Sequence, residues 1–198
     1  MVALAKLPVR MSVAEFLAWA AVSDGRWQLV DGAPQAMAPP SSTHGAIQGE
    51  AARLIGNHLL AQGSPCRVVT EAGVVPHVQA GHNLRVPDLA VSCAPATTET
   101  ATLEDPVLVI EILSPGNQAE TWANVWTYTS IPSVAEILVL HTTAIRAELL
   151  RRRPDGSWPE RPAEHAGGGI MLESIGLGLS LAAFWRTTHL GQRMQDAG

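Results

Sequence analysis

The stretch Val107-Leu108-Val109-Ile110-Glu111-Ile112-Leu113 decides how this chain is read, because six of its seven residues are apolar. They fall on both alternating faces, the pattern of a strand buried in the middle of a sheet. Glu111 interrupts it. An ionised carboxylate buried without a partner is costly, so it neutralises or is held by something that binds it. Two kinds of partner suit: an arginine in the core, or a metal ion.

Upstream, Arg85-Val86-Pro87-Asp88-Leu89-Ala90-Val91 repeats the theme, an acid set in an apolar strand directly after a proline. Proline cannot donate to a ladder and marks an edge or irregular position, where the next side chain can be aimed outward. Two carboxylates on neighbouring strands are the hard oxygen donors that Mg²⁺ or Mn²⁺ prefers.

Around these strands the chain reads as alternating short elements. Ser12 and Glu15 form a capping box for a helix over about 12–21. A strand over 26–30 turns at Asp31-Gly32. Ser42 or Thr43 caps a second helix, on which Ile47, Ala51, Leu54, Ile55, His58 and Leu59 recur at helical spacing, with Glu50 on the solvated face. Strands are expected over 66–70, 73–78 and 84–92, then a polar loop over 94–105. After the strand at 107–113, Asn117 and Glu120 suggest a capping-box-like start for a third helix to about Ser130. A strand at 136–141 follows, and 145–152 with a segment near 170–172 reads as a closing antiparallel ribbon around Asp155-Gly156. Beyond Ala182 a short helix and a fraying tail are expected. The order predicts an α/β (α+β) fold, with helices packed on a mixed, largely antiparallel central sheet. It suits one domain over 1–198.

Composition narrows the function classes. The 198 residues are 46% hydrophobic and 16% charged, which excludes a disordered chain, and 17 Gly and 14 Pro imply many turns. A net charge of −5 leaves no general basic field for nucleic acid, so any such contact must be a local patch. Twelve of the 13 basic residues are arginine, and Lys6 is the one lysine. Cys66 and Cys93 are expected as buried free thiols in a reducing compartment, which with the absence of a long apolar segment suggests a cytoplasmic protein off the membrane. Zinc spacing and a phosphate-cradling glycine loop are both missing. Arg151-Arg152-Arg153 reads as a solvated ribbon end or a phosphate contact, and Glu71 as a turn carboxylate or a member of the acidic cluster. His44, at a helix start, suits a capping, core or site role. Trp122 and Trp126 at helical spacing suit core or a homodimer surface.

Taken together, Pro87-Asp88 and, after a spacer, Glu111-Ile112-Leu113-Ser114-Pro115 resemble the Uma-type restriction endonuclease family of the PD-(D/E)xK nuclease superfamily. The resemblance runs from about Ser12 to Ala183. It includes Met11-Ser12 with Glu15-Phe16, Leu29-Val30-Asp31-Gly32, Met37-Ala38-Pro39-Pro40, His44, Tyr128 and Ile131-Pro132-Ser133-Val134. It implies a nuclease-type core over about 26–183 and a metal-dependent endonuclease acting on nucleic acid, DNA before RNA. Asp88 and Glu111 would bind Mg²⁺ or Mn²⁺ beside the scissile phosphodiester, with the Ile112 carbonyl as a further ligand and His44 near the substrate. The chain departs from the pattern in two places. The superfamily's lysine position is Leu113, and the following helix has neither lysine nor arginine, which leaves Arg85 as a substitute cation. Gln28 stands where an acid often precedes the hairpin. These departures motivate an alternative: a catalytically degenerate member serving as a binding or dimerisation module.

Overall fold

A computed structural model describes residues 10–95 and 101–195. Lys6, residues 96–100 of the expected loop and the last three residues of the tail lie outside the described residues. Helix α1 (Val13–Ala20) starts at Ser12, whose hydroxyl and backbone N–H both engage Glu15, so the capping box forms. Strands β1 (Trp27–Val30) and β2 (Ala33–Ala36) make a hairpin with Val30 opposite Ala33. Its two-residue turn needs positive φ at both positions, and Asp31 and Gly32 supply +50° and +85°.

The central sheet has six strands in sequence order: β3 (Arg67–Thr70), β4 (Leu89–Ser92), β5 (Pro106–Leu113), β6 (Glu136–His141), β7 (Ala147–Arg151) and β8 (Ala163–His165). Only β5 and β6 run parallel, joined by the crossover helix α3 (Gln118–Tyr128). The sheet is thus mixed and largely antiparallel, with β5 inside it. Helix α2 (Ser42–Ala61) covers one face, where Ile47, Ala51, Ile55 and Leu59 meet Leu108, Ile110 and Ile112. Helix α3 covers the other, where Val125 and Tyr128 meet Val109, Leu113, Ile137 and Val139. Successive β5 side chains alternate between the two helices, and this places Glu111 on the α3 side.

Several expectations are corrected. The α2 cap is Ser41, whose hydroxyl accepts from the His44 N–H. Residues 73–78 form bridges at Gly73 and Val74 in place of a strand. Asn117 makes no side-chain cap on α3; its amide oxygen accepts from the Ser114 N–H, and Glu120 turns elsewhere. Beyond β6, the strand that pairs with β7 is β8, while β9 (Gly169–Leu172) pairs with β10 (Leu177–Ser180) in a separate two-stranded sheet. A 3-10 turn (Leu181–Trp185) and α4 (His189–Gln195) follow. Glu50 is buried, and its carboxylate holds Arg53 at 2.6 Å and Arg186 at 3.3 Å. The arginine run braces the fold: Arg151 pairs with Glu136, and Arg152 donates to the Val134 and Ile131 carbonyls.

The cysteines are not free. Cys66 and Cys93 form a disulfide. The physical reason is register: Arg67 stands opposite Ser92, so the next pair outward across β3 and β4 is Cys66 and Cys93. No helix among the described residues is long and apolar enough to cross a membrane.

Candidate active site

The β4–β5 register sets Leu89 opposite Ile110, and one residue further along it Asp88 faces Glu111. Glu111 emerges toward α3, while the Asp88 carboxylate, just before the first paired residue of β4, reaches between the start of α2 and the Ile112 N–H. The ladder between β4 and β5 stops there. The Ile112 N–H, left without a strand partner, donates instead to Asp88 Oδ2 at 2.7 Å. His44, in the first turn of α2, brings Nε2 to 2.9 Å from Asp88 Oδ1. The Gln48 amide donates to the Asp88 carbonyl at 3.0 Å. Each carboxylate oxygen can accept twice, so Asp88 keeps room for another ligand.

Glu111 is 6% exposed and accepts a hydrogen bond from the Tyr128 hydroxyl at 2.7 Å; its partner is a phenol, not a core arginine. Burial, then the neighbouring Asp88 carboxylate, pushes its carboxyl well above the usual range. Burial, then the charge of Glu111, raises the Tyr128 phenol as well. Burial and the neighbouring carboxylate thus disfavour the charged form of Glu111, a penalty that a bound cation would relieve.

The two carboxylates open into a cleft of about 360 Å³, bounded by residues 37–41 after the hairpin, the start of α2, the 114–117 turn and the inward face of α3. On α3 that face carries Glu120, Asn124 and Tyr128, one helical turn apart each. Gln28, 1% exposed, sits behind it and donates to Glu120 Oε1 at 2.8 Å while accepting from the Asn124 amide at 3.2 Å. Arg26 stands at the cleft beside Glu71, 2.9 Å away.

Asp88, Glu111 and His44 are thus brought together, with the Ile112 backbone against them. Gln28 and Arg85 are not in the cleft lining. Arg85 is buried, its Nη1 donating to the Leu29 carbonyl at 3.0 Å and its Nε without a hydrogen-bond partner among the described residues. Burial depresses its pKa. Leu113, at the lysine position, packs in the α3-side core. Sequence reasoning missed Glu120, Asn124 and Arg26 as cleft residues, and it used Tyr128 only as a family mark. The spacing 120, 124, 128 was the available signal: polar groups on the one helical face that must turn inward.

Among the described residues no group of three or more His, Cys, Asp or Glu could hold a metal. The donor set is two carboxylates, with a strand carbonyl at Ile112 on the edge from which its N–H reaches Asp88. That set fits Mg²⁺, which keeps several waters and is bound through one or two carboxylates, better than an all-protein cage.

The family Uma2, described as a putative restriction endonuclease, matches residues 13–183. Among solved structures, a putative nuclease belonging to DUF820 from Anabaena variabilis ATCC 29413 is similar, with a TM-score of 0.71 and 18% sequence identity. The match covers 88% of this chain and 97% of that one. No curated protein matches significantly.

Proposed function

Because this chain belongs to the Uma2 family, we propose that it is a divalent-metal-dependent nuclease that hydrolyses phosphodiester bonds of nucleic acid. One observation carries the reading: Asp88 and Glu111, 23 residues apart, converge on a cleft with His44, the Ile112 N–H and the Tyr128 hydroxyl as their hydrogen-bond partners, and no arginine or lysine among the described residues bonds either carboxylate. In this proposal their carboxylates and the Ile112 carbonyl hold Mg²⁺ or Mn²⁺. Such an ion supplies charge stabilisation and an activated water. The chain's own residues orient that centre. His44 and the Ile112 N–H fix the two oxygens of Asp88, and the Tyr128 hydroxyl fixes Glu111. Arg85 is buried against the Leu29 carbonyl and takes no place in the cleft lining.

Titration of Mn²⁺ into wild type and Asp88→Asn by calorimetry tests the centre. Binding by wild type that the variant loses is the expected result. Cleavage of a plasmid or RNA at the wild-type rate by both Asp88→Asn and Glu111→Gln would overturn the reading.

A second reading, a degenerate member that binds without cutting, is favoured by Leu113, whose buried side chain fills the superfamily's lysine position. Mn²⁺ binding with no cleavage of any DNA or RNA offered would favour it.

A further inference from the structure

The cleft lining carries three carboxylates, Asp88, Glu111 and Glu120, in a chain of net charge −5. A polyanion enters such a site only where a cation meets it. Two basic side chains line the cleft among the described residues, Arg26 and His44, and His44 is committed to Asp88. We propose that Arg26 is the phosphate-gripping residue of this cleft, held in place by Glu71, and that its ligand is a backbone phosphodiester of the nucleic acid. This rests on the nuclease reading above.

The placement of Arg26 is built rather than incidental. Its carbonyl accepts from the Met37 N–H at 2.8 Å, which closes the base of the β1–β2 hairpin and fixes where the side chain starts. Its Nη2 lies 2.9 Å from Glu71 Oε1, with the two side chains 34% and 38% exposed. Glu71 adopts φ +55°, a left-handed conformation unusual for a residue with a side chain. Its N–H donates to the Asp88 carbonyl at 3.2 Å, and Gln48 bridges the same carbonyl and the Glu71 carboxylate. Glu71 is therefore tied to Asp88, and through it Arg26 is registered against the acidic pair. A guanidinium presents five N–H donors in a planar fork, so one contact to Glu71 leaves donors for a phosphate. The isolated alternative, a surface ion pair, would contribute little to stability and nothing to binding.

The test is fluorescence anisotropy of a short labelled DNA duplex and a short labelled RNA strand, over a salt series with Ca²⁺ present. The full chain is compared with Arg26→Gln, Arg26→Lys and Arg161→Gln, the last removing an equal charge at an exposed site outside the cleft. Arg26→Gln is expected to weaken binding roughly tenfold. It should also lower the slope of log K against log salt by about one. Arg26→Lys should recover binding in part, and Arg161→Gln should match wild type. Mn²⁺ binding should be the same in all four. Arg26→Gln binding with wild-type affinity and slope, or losing Mn²⁺ along with the oligonucleotide, overturns the assignment. Wild type that binds neither probe overturns the nuclease reading itself, and this inference with it.

Discussion

The Tyr128 hydroxyl donates to Glu111 Oε1 at 2.7 Å, tying the last turn of α3 to the middle of the central strand. Seventeen residues separate them, and both are buried. The contact gives Glu111 one neutral donor in a place where an arginine would have cancelled its charge. The site thereby stays electrostatically unsatisfied, at a cost to the fold. That cost is measurable.

Glu111→Gln should stabilise the protein at neutral pH when divalent cations are absent. A carboxyl whose folded pKa is raised contributes its stability below the unfolded value, near 4.5, and loses it as pH rises through the folded pKa. Urea denaturation across a pH series should show wild type falling behind the glutamine variant as pH increases. Mn²⁺ should close the gap by stabilising wild type alone. Parallel curves for the two proteins would refute the assignment of the raised carboxyl to Glu111.

Tyr128→Phe removes the donor and leaves the buried carboxylate without it. The expected loss is about 1–3 kcal/mol, the range for leaving a buried acceptor unsatisfied, and it should be largest above the raised pKa of Glu111, where the carboxylate is charged. The loss should shrink under acidic conditions, where Glu111 is protonated. Equal destabilisation at both ends of the pH range would point to packing alone.

The Cys66–Cys93 disulfide spans 27 residues of chain. Closing a loop of that order constrains the unfolded ensemble by about 2–4 kcal/mol. Reduction, or replacement of both cysteines by serine, should lower unfolding stability by that amount and leave Mn²⁺ affinity unchanged, because Asp88 sits at the opposite end of β4. A pair that alkylates fully in the native protein without reductant would contradict the bridge.

Glu50 links α2 to the C-terminal segment through Arg186, and hydrogen bonds from Arg53 hold its carboxyl below the usual range. Such a depressed group stabilises above its unfolded pKa, and that contribution disappears as pH falls through the folded value. Glu50→Gln should therefore flatten the acid limb of the stability profile. It should also speed amide exchange around Leu181–Trp185, and unchanged exchange there would show that the apolar contacts of Phe184 and Trp185 suffice.

Much of the fold was legible because it is encoded locally. The apolar run at 107–113 could only be a central strand, and the capping box at Ser12 and the Asp31-Gly32 turn each specify a conformation within four residues. Where local signals misled, a tertiary partner had outbid them. Glu120 has the spacing of a capping box, but the buried Gln28 amide draws its carboxylate away. Glu50 reads as solvated until the C-terminal segment folds over it and supplies Arg186. Arg85 reads as a substitute cation for the missing lysine, yet the Leu29 carbonyl of the neighbouring hairpin takes its guanidinium and it stays out of the cleft lining.

The amino-acid sequence by itself determined the first three helices, the buried strand, its one carboxylate and the second carboxylate after Pro87, because alternation, turn chemistry and burial cost act over a few residues. Only the tertiary structure decided which of these meet. The β4–β5 register puts Asp88 opposite Glu111 and the β3–β4 register brings Cys66 to Cys93. The packing of α3 aims Glu120, Asn124 and Tyr128 at the cleft side of the sheet, and Glu71 sets Arg26 beside it. A shift of one residue in either register would turn those side chains to the other face, and register is set by the packing of the whole sheet between two helices rather than by any single strand.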